Sequence, residues 1–160
     1  MKTILPIIAA AVLLAPQAVA QAPDADPMAP VTRFLEAFNA GDVAGVAAAH
    51  ADDVVIVDEA PPFIWRGREA LARWLADLGA EDARRGVTGG AVTLGAVRRR
   101  LVHGDRAFVV IDAVYRYREQ GVATVEPAVM TLTLEQGADG WKISGWTWGG
   151  TEPRPAQAER

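Results

Sequence analysis

The chain has no cysteine among its 160 residues and only two histidines, His50 and His103. Without thiols, neither a disulfide framework nor a thiolate nucleophile is available. Two histidines are too few for a histidine-rich metal site, and no HExxH spacing occurs. We therefore expect a fold that is stabilised by packing alone, with no metal site and no cofactor.

An excess of positive charge is also lacking, because 16 Lys and Arg stand against 20 Asp and Glu, for a net charge of −4. A mildly acidic chain is a poor partner for nucleic acid or for an anionic membrane. What is plentiful is apolar sequence, at 51% of the residues. That supply is enough for one domain with a core of its own.

The N-terminus has the pattern of a secretory signal peptide. Lys2 is followed by an uncharged apolar run that ends in the small residues Ala18-Val19-Ala20. A membrane anchor is the alternative, but it needs about 20 uninterrupted apolar residues, and Pro6 and Pro16 interrupt this run. We predict cleavage after Ala20 and a periplasmic or secreted protein with no membrane contact after cleavage.

The domain is expected over residues 30–150. A polar, proline-containing lead-in at residues 21–29 is predicted to be disordered. A similar segment at residues 151–160 is predicted to be a flexible tail. Within the domain, apolar residues spaced at i, i+3, i+4 and i+7 predict helices near residues 30–41, 43–50 and 67–80.

A strand is expected at Val54–Val57, and strands dominate after residue 90. Four long stretches rich in Val, Thr and aromatic residues are separated by HGD, EQG and ADG, which is typical of an antiparallel meander. Helices followed by strands indicate an α+β domain, in which a cone-shaped, curved antiparallel (mixed) sheet carries the three N-terminal helices on its concave face. Such a sheet half-encloses a cavity suited to a small molecule.

The stretch Phe108–Arg116 carries apolar residues on both faces of its strand. Helices can cover only one face of the sheet. We therefore expect a second copy of the chain to cover the other face, as a homodimer.

The segment RFLEAFNAGDVAGVAAAHADDVVIVDEAPPFIWRGREAL, Arg33–Leu71, resembles the ketosteroid isomerase branch of the nuclear transport factor 2-like superfamily, which also includes SnoaL-like polyketide cyclases. The AGD turn, the ADD after His50 and the GRE before the third helix occur in the same order and spacing. The strands extend the resemblance, more loosely, to about Trp148. This fold hosts enzymes, transport adaptors and plain binding proteins, so it does not by itself give the function.

The resemblance implies a role for Asp58, which matches the carboxylate that removes a proton from the carbon next to a carbonyl. That chemistry also requires a group that stabilises the developing oxyanion. Here Phe34 stands where those isomerases have a tyrosine, and Pro127–Leu134, the expected place of their protonated aspartic acid, contains no acid, Met130 being nearest. Loss of one oxyanion donor costs roughly 10²–10³ in rate, so little steroid isomerase activity is expected.

Two hypotheses about function follow. The first is an exported SnoaL-like protein that binds a small, largely apolar ligand in the cavity. The alternative is an isomerase, cyclase, dehydratase or lyase with Asp58 as general base. The expected ligand contacts are Phe34, Phe38, Trp65, Met130, Trp146 and Trp148. A hydrogen-bond donor near Asp58 would favour the enzyme.

Neighbouring residues have simpler interpretations. Asp58 could instead be a strand-end carboxylate that accepts backbone hydrogen bonds. Glu59 should point the opposite way, into solvent, and His50 should be a packed, hydrogen-bonded core histidine. Tyr115 and Tyr117 share a strand face and could supply the hydroxyl that Phe34 lacks.

Overall fold

The computed structural model describes residues 26–156. The predicted signal peptide and its cleavage site lie outside the described residues, as does most of the lead-in. Within residues 26–156, none of the helices combines the length and the apolar character needed to cross a bilayer.

The described chain has three helices, α1 (Met28–Ala40), α2 (Val43–Ala49) and α3 (Ala70–Arg85), and two strands lie between α2 and α3. Gly41 and Gly86 end α1 and α3 in the left-handed conformation, at φ 69° and φ 72°, which glycine adopts without steric cost. The helices thus lie where the periodicity predicts them, within a few residues. The first begins earlier, inside the lead-in, and the third begins later and extends five residues beyond the expected end at residue 80.

The strands of the described chain are β1 (His50–Val57), β2 (Ile64–Trp65), β3 (Val87–His103), β4 (Arg106–Glu119), β5 (Val122–Gly137), β6 (Gly140–Gly150) and β7 (Arg154–Pro155). They form one sheet in the order β2-β1-β6-β5-β4-β3. The β1–β6 pair is parallel and the other pairs are antiparallel, with β7 added beside β5. The α+β fold with a mixed, curved, unclosed sheet is therefore as predicted, and the expected tail contributes two residues to it.

The long strands separate an inner from an outer face of the sheet. On β4, Val109, Ile111 and Ala113 are at most 2% exposed beneath the helices, whereas Phe108 and Val110 on the outer face are only half-buried. Register shifts in β3 interrupt its pairing with β4, and such bulges bend a strand. The helices pack on the inner face, and the core and the cavity lie between the two layers.

Candidate functional site

A cavity lies between the helices and the inner face of the sheet. Its space, including the open mouth, is about 730 Å³. Five of the six expected ligand contacts line it: Phe34, Phe38, Met130, Trp146 and Trp148. The wall combines aromatic and aliphatic side chains with six charged residues, Asp58, Glu59, Glu81, Asp82, Arg85 and Glu126.

Trp65, the sixth expected contact, lies elsewhere. It is 3% exposed, and its indole Nε1 donates a hydrogen bond to Asp77 Oδ2 on α3 at 2.8 Å. The strand β2 pairs with the outer edge of β1, which places Trp65 under α3 as part of the core. Trp74, one turn before Asp77, lines the cavity instead.

Asp58 follows the last residue of β1 and faces the cavity. Its Oδ2 accepts a hydrogen bond from Trp74 Nε1 at 2.6 Å, and its Oδ1 accepts one from the backbone N–H of Glu59 at 2.6 Å. Burial raises the pKa of the Asp58 carboxyl, although these donors oppose the shift. Asp58 thus combines both interpretations, because it lines the cavity and it accepts a backbone hydrogen bond.

A second carboxyl group, Glu126, lines the same cavity from β5. It is 5% exposed, and its Oε1 accepts a hydrogen bond from Trp148 Nε1 at 2.6 Å. Burial raises the pKa of Glu126, and the nearby carboxylates Glu59 and Asp58 raise it further, while the Trp148 bond and Arg85 lower it.

Sequence reasoning missed Glu126 because the segment searched for an acid began at Pro127. The strand begins at Val122, and every second residue from Thr124 to Leu134 is buried. Glu126 therefore shares the inward face with Met130, four residues further on. The signal that could have identified Glu126 is the alternation of inward and outward residues along the strand, counted back from Met130.

Glu59 does not point away from the site, as alternation had suggested. It lines the cavity, and its Oε1 accepts a hydrogen bond from the backbone N–H of Gly150 at 2.8 Å. A Cβ added to Gly150 would lie 2.1 Å from Glu126 Oε1 and 2.5 Å from Glu59 Oε1, so these two carboxyl groups are neighbours. Alternation fails here because β1 ends at Val57 and the loop sets the direction of Glu59.

His50 is a packed core histidine, as predicted, although it is the first residue of β1 and not the last residue of α2. It is 6% exposed, its Nδ1 lies 2.8 Å from Val46 O, and its Nε2 accepts a hydrogen bond from Trp146 Nε1 at 3.2 Å. A carbonyl oxygen cannot donate, so Nδ1 carries the proton. Burial lowers the pKa of His50 to about 4, and the ring is neutral at pH 7.

The two tyrosines of β4 differ in their roles. Tyr117 is buried, and its hydroxyl oxygen accepts a hydrogen bond from Arg85 at 3.1 Å. Arg85 also binds Glu119 through Nε at 2.9 Å. Tyr115 stacks on Tyr117 with ring centroids 4.7 Å apart and lines the cavity. Tyr115 therefore brings a hydroxyl to the site, although Phe34 does not.

Among residues 26–156, no group of three or more His, Cys, Asp or Glu side chains is placed to hold a metal ion. The polar groups of the residues that line the cavity are carboxyl, phenol and indole groups and the guanidinium of Arg85.

Comparison with known proteins gives a consistent picture. A family model described as a SnoaL-like domain matches residues 31–153. No curated protein sequence matches the chain.

Several solved structures share the fold. A LinA-type3 hexachlorocyclohexane dehydrochlorinase from Novosphingobium barchaimii has a TM-score of 0.67 and 16% identity, over 81% of this chain and 87% of that one. A putative scytalone dehydratase from Novosphingobium aromaticivorans has a TM-score of 0.62 and 14% identity, over 81% of this chain and 85% of that one. A ketosteroid isomerase-like protein from Erwinia carotovora atroseptica has a TM-score of 0.60 and 23% identity, over 78% of this chain and 92% of that one. At these identities the likeness shows the fold alone.

Proposed function

Because the chain belongs to the SnoaL-like domain family, we propose that its cavity binds a small, largely apolar molecule with a carbonyl group and moves a proton at the neighbouring carbon. One observation carries this proposal. Two carboxyl groups with raised pKa values, Asp58 and Glu126, face one aromatic cavity, and a tryptophan indole holds each at 2.6 Å. Clefts with such perturbed groups are typical of acid–base sites.

The surroundings assign different roles to the two groups. Asp58 accepts hydrogen bonds from Trp74 and from the backbone N–H groups of Glu59 and Ala60, all of which favour its ionised form. Glu126 has one indole donor and lies near two other carboxylates, which favour its protonated form. Asp58 is therefore the base, and Glu126 is the acid that donates a hydrogen bond to the substrate oxygen.

This assignment supplies the group that the sequence appeared to lack. The hypothesis of a plain binding protein was favoured over the enzyme because Phe34 has no hydroxyl and residues 127–134 contain no acid. Glu126 is a donor when protonated, and the Tyr115 hydroxyl lines the same cavity. The site thus favours the enzymatic alternative, in which a base and an oxyanion-stabilising donor act together.

In the proposed reaction, Asp58 takes the proton from the carbon next to the carbonyl. The electron pair of that C–H bond forms the enolate, whose oxygen accepts the hydrogen bond from Glu126. Return of the proton to another carbon completes an isomerisation, and departure of a leaving group on the next carbon completes an elimination. The names of two neighbouring structures, a putative dehydratase and an isomerase-like protein, support this range of reactions.

The test uses 2-tetralone, an apolar ketone with acidic protons next to its carbonyl, in deuterated buffer. We expect the protein to accelerate replacement of these protons by deuterium above the rate in buffer, as measured by proton NMR. Binding of 2-tetralone without accelerated exchange would support a binding protein and would count against the proposed reaction.

Replacement of Glu126 tests the second carboxyl group. Glu126→Leu should lower the accelerated exchange by roughly 10²–10³, the usual effect of removing one oxyanion donor. Glu126→Gln should retain more activity, because its amide still donates a hydrogen bond. Glu135→Leu, on the same strand but paired with surface Arg106, is the control. Equal rates in all four proteins would remove Glu126 from the mechanism.

We also propose that the outer face of the sheet pairs with a second copy of the chain. Leu101, Phe108 and Thr133 lie side by side on this face, and Leu101 is 49% exposed. Sedimentation equilibrium at micromolar concentration should give a dimer, and Phe108→Asp should give a monomer because it places a charge in the apolar contact. The control Val43→Asp, on exposed α2, should leave the dimer intact. A monomeric parent protein would contradict the proposal.

A further inference from the structure

A second cavity opens beside the first, between α3 and the start of β3. Its space, including the mouth, is about 740 Å³. Four side chains line both cavities: Phe38, Leu78, Asp82 and Tyr115. Because the same residues face both spaces, the two cavities are direct neighbours in this region.

Part of the wall of the second cavity has little side-chain volume. Gly41, Gly79, Gly89 and Gly90 all line it. A Cβ added at Gly79 would have no neighbouring atom within 4 Å, so the helix leaves open space there. A glycine inside a helix is less favourable than alanine, and the lack of a side chain at exposed Gly79 leaves this part of the cavity open.

Tyr115 occupies the boundary between the two spaces, and Gly90 makes room for it. A Cβ at Gly90 would lie 2.1 Å from the Tyr115 hydroxyl oxygen, so any other residue there would displace the phenol. Within residues 26–156, the Tyr115 hydroxyl has no hydrogen-bond partner, unlike that of Tyr117. Burial raises the pKa of Tyr115, so its hydroxyl keeps its proton and can donate.

We propose that the two cavities are the two parts of one ligand site, which takes an elongated, largely apolar molecule with its reacting carbonyl beside Asp58 and its other end in the second cavity, which Gly79 lines. In this arrangement Tyr115 donates a hydrogen bond to a polar atom in the middle of the ligand. The inference rests on the proposed function in one respect, namely that the first cavity receives the ligand.

The two-part site has a consequence for specificity. Asp58 and Glu126 line only the first cavity, so groups in the second cavity contribute binding without taking part in the reaction. Binding energy from such remote groups can position the reacting end. Longer ligands should therefore be preferred over short ones with the same reacting group.

A series of 4-alkylphenols tests this inference without requiring catalysis. The probes are 4-ethyl-, 4-butyl-, 4-hexyl- and 4-octylphenol, and their affinities are measured by isothermal titration calorimetry. Full burial of one methylene increases affinity roughly fourfold. From butyl to octyl, we expect the affinity of the parent protein to rise by about 10-fold or more, given incomplete burial.

Gly79→Leu fills the second cavity from a helical position where leucine favours the helix. In this variant, affinity should stop rising beyond the butyl compound, while 4-ethylphenol binds as in the parent. Gly79→Ala should give a smaller effect in the same direction. The control Ala80→Leu changes the adjacent exposed helical position and should follow the parent throughout the series.

Tyr115→Phe tests the hydroxyl. It should lower the affinity for 4-butoxyphenol, which has an ether oxygen in the middle of the molecule, by roughly 3- to 10-fold, the effect of one lost hydrogen bond, and leave the affinity for 4-pentylphenol unchanged. A plateau at butyl in the parent, or a Gly79→Leu variant that follows the parent, would overturn the two-part site. An unchanged affinity of Tyr115→Phe for 4-butoxyphenol would overturn the role of the hydroxyl.

These outcomes are distinct from failure of the proposed reaction. A protein that binds long phenols in the expected order but exchanges no proton of 2-tetralone would keep the two-part site and lose the enzymatic function. A protein that exchanges protons but shows no preference for chain length would keep the enzymatic function and lose the two-part site.

Discussion

Asp58→Asn is expected to lower the rate of accelerated proton exchange of 2-tetralone by roughly 10²–10⁴-fold, the usual contribution of a general base. The amide cannot accept the proton, while its size leaves the aromatic cavity unchanged. NMR exchange rates of parent and variant give the measurement. Asp77→Asn is the matched control, because Asp77 also accepts an indole hydrogen bond, from Trp65 at 2.8 Å, but outside the cavity.

The same variant has a definite effect on the pH dependence of stability. Burial raises the pKa of Asp58 in the folded state, so the folded protein binds this proton more tightly than the unfolded chain does. The ionised group therefore costs stability at pH 7, and that cost disappears as the pH falls through the raised pKa towards the unfolded value of about 3.9.

Asp58→Asn removes this cost but leaves one of the two donors, Trp74 or Glu59 N–H, without its acceptor. We expect thermal midpoints at pH 7 that equal or exceed those of the parent, with the advantage shrinking on acidification. A clear loss of stability at pH 7 would show that the carboxylate serves the fold as an acceptor.

His50→Gln is expected to remove an acid-sensitive part of the stability. The pKa of His50 is lowered to about 4 by burial, against 6.5 for the free side chain. The unfolded chain therefore binds this proton more tightly, and stability falls as the pH drops from about 6.5 to about 4. A shift of this size corresponds to about 3 kcal/mol. Denaturant unfolding at several pH values measures it.

Glutamine can both donate to Val46 O and accept from Trp146 Nε1, but it does not titrate. The variant should lose stability at pH 7 through poorer packing against Phe34, whose ring centroid lies 4.7 Å from that of His50. The difference in the free energy of unfolding between parent and variant should then become smaller as the pH falls towards 4. Exposed His103→Gln is the control, and a constant difference across the range would exclude His50 as the source of acid sensitivity.

The sequence by itself predicted the elements, because their patterns are local. The spacing of Val31, Phe34, Leu35 and Phe38 predicts one buried helical stripe, and all but the half-buried Phe38 are at most 5% exposed. Glycines mark the helix ends, and short polar turns separate the strands. Asp58 followed from the family resemblance, and the core position of His50 followed from helical periodicity.

Only the tertiary structure decided how the site is assembled. Trp74 reaches Asp58 from another element, 16 residues away, and Trp148 reaches Glu126 across 22 residues. Such pairs depend on strand register and on the position of α3, which no local pattern encodes.

The same reason accounts for the residues that differ from expectation. Trp65 packs under α3 because β2 adds to the edge of β1, and Glu59 turns inward because the strand has ended before it. Burial then makes Glu126 a candidate acid, since the carboxyl of a solvated glutamate would be ionised at pH 7. The sequence thus determined which residues are available for chemistry, and the packing of helices against the curved sheet decided which of them meet.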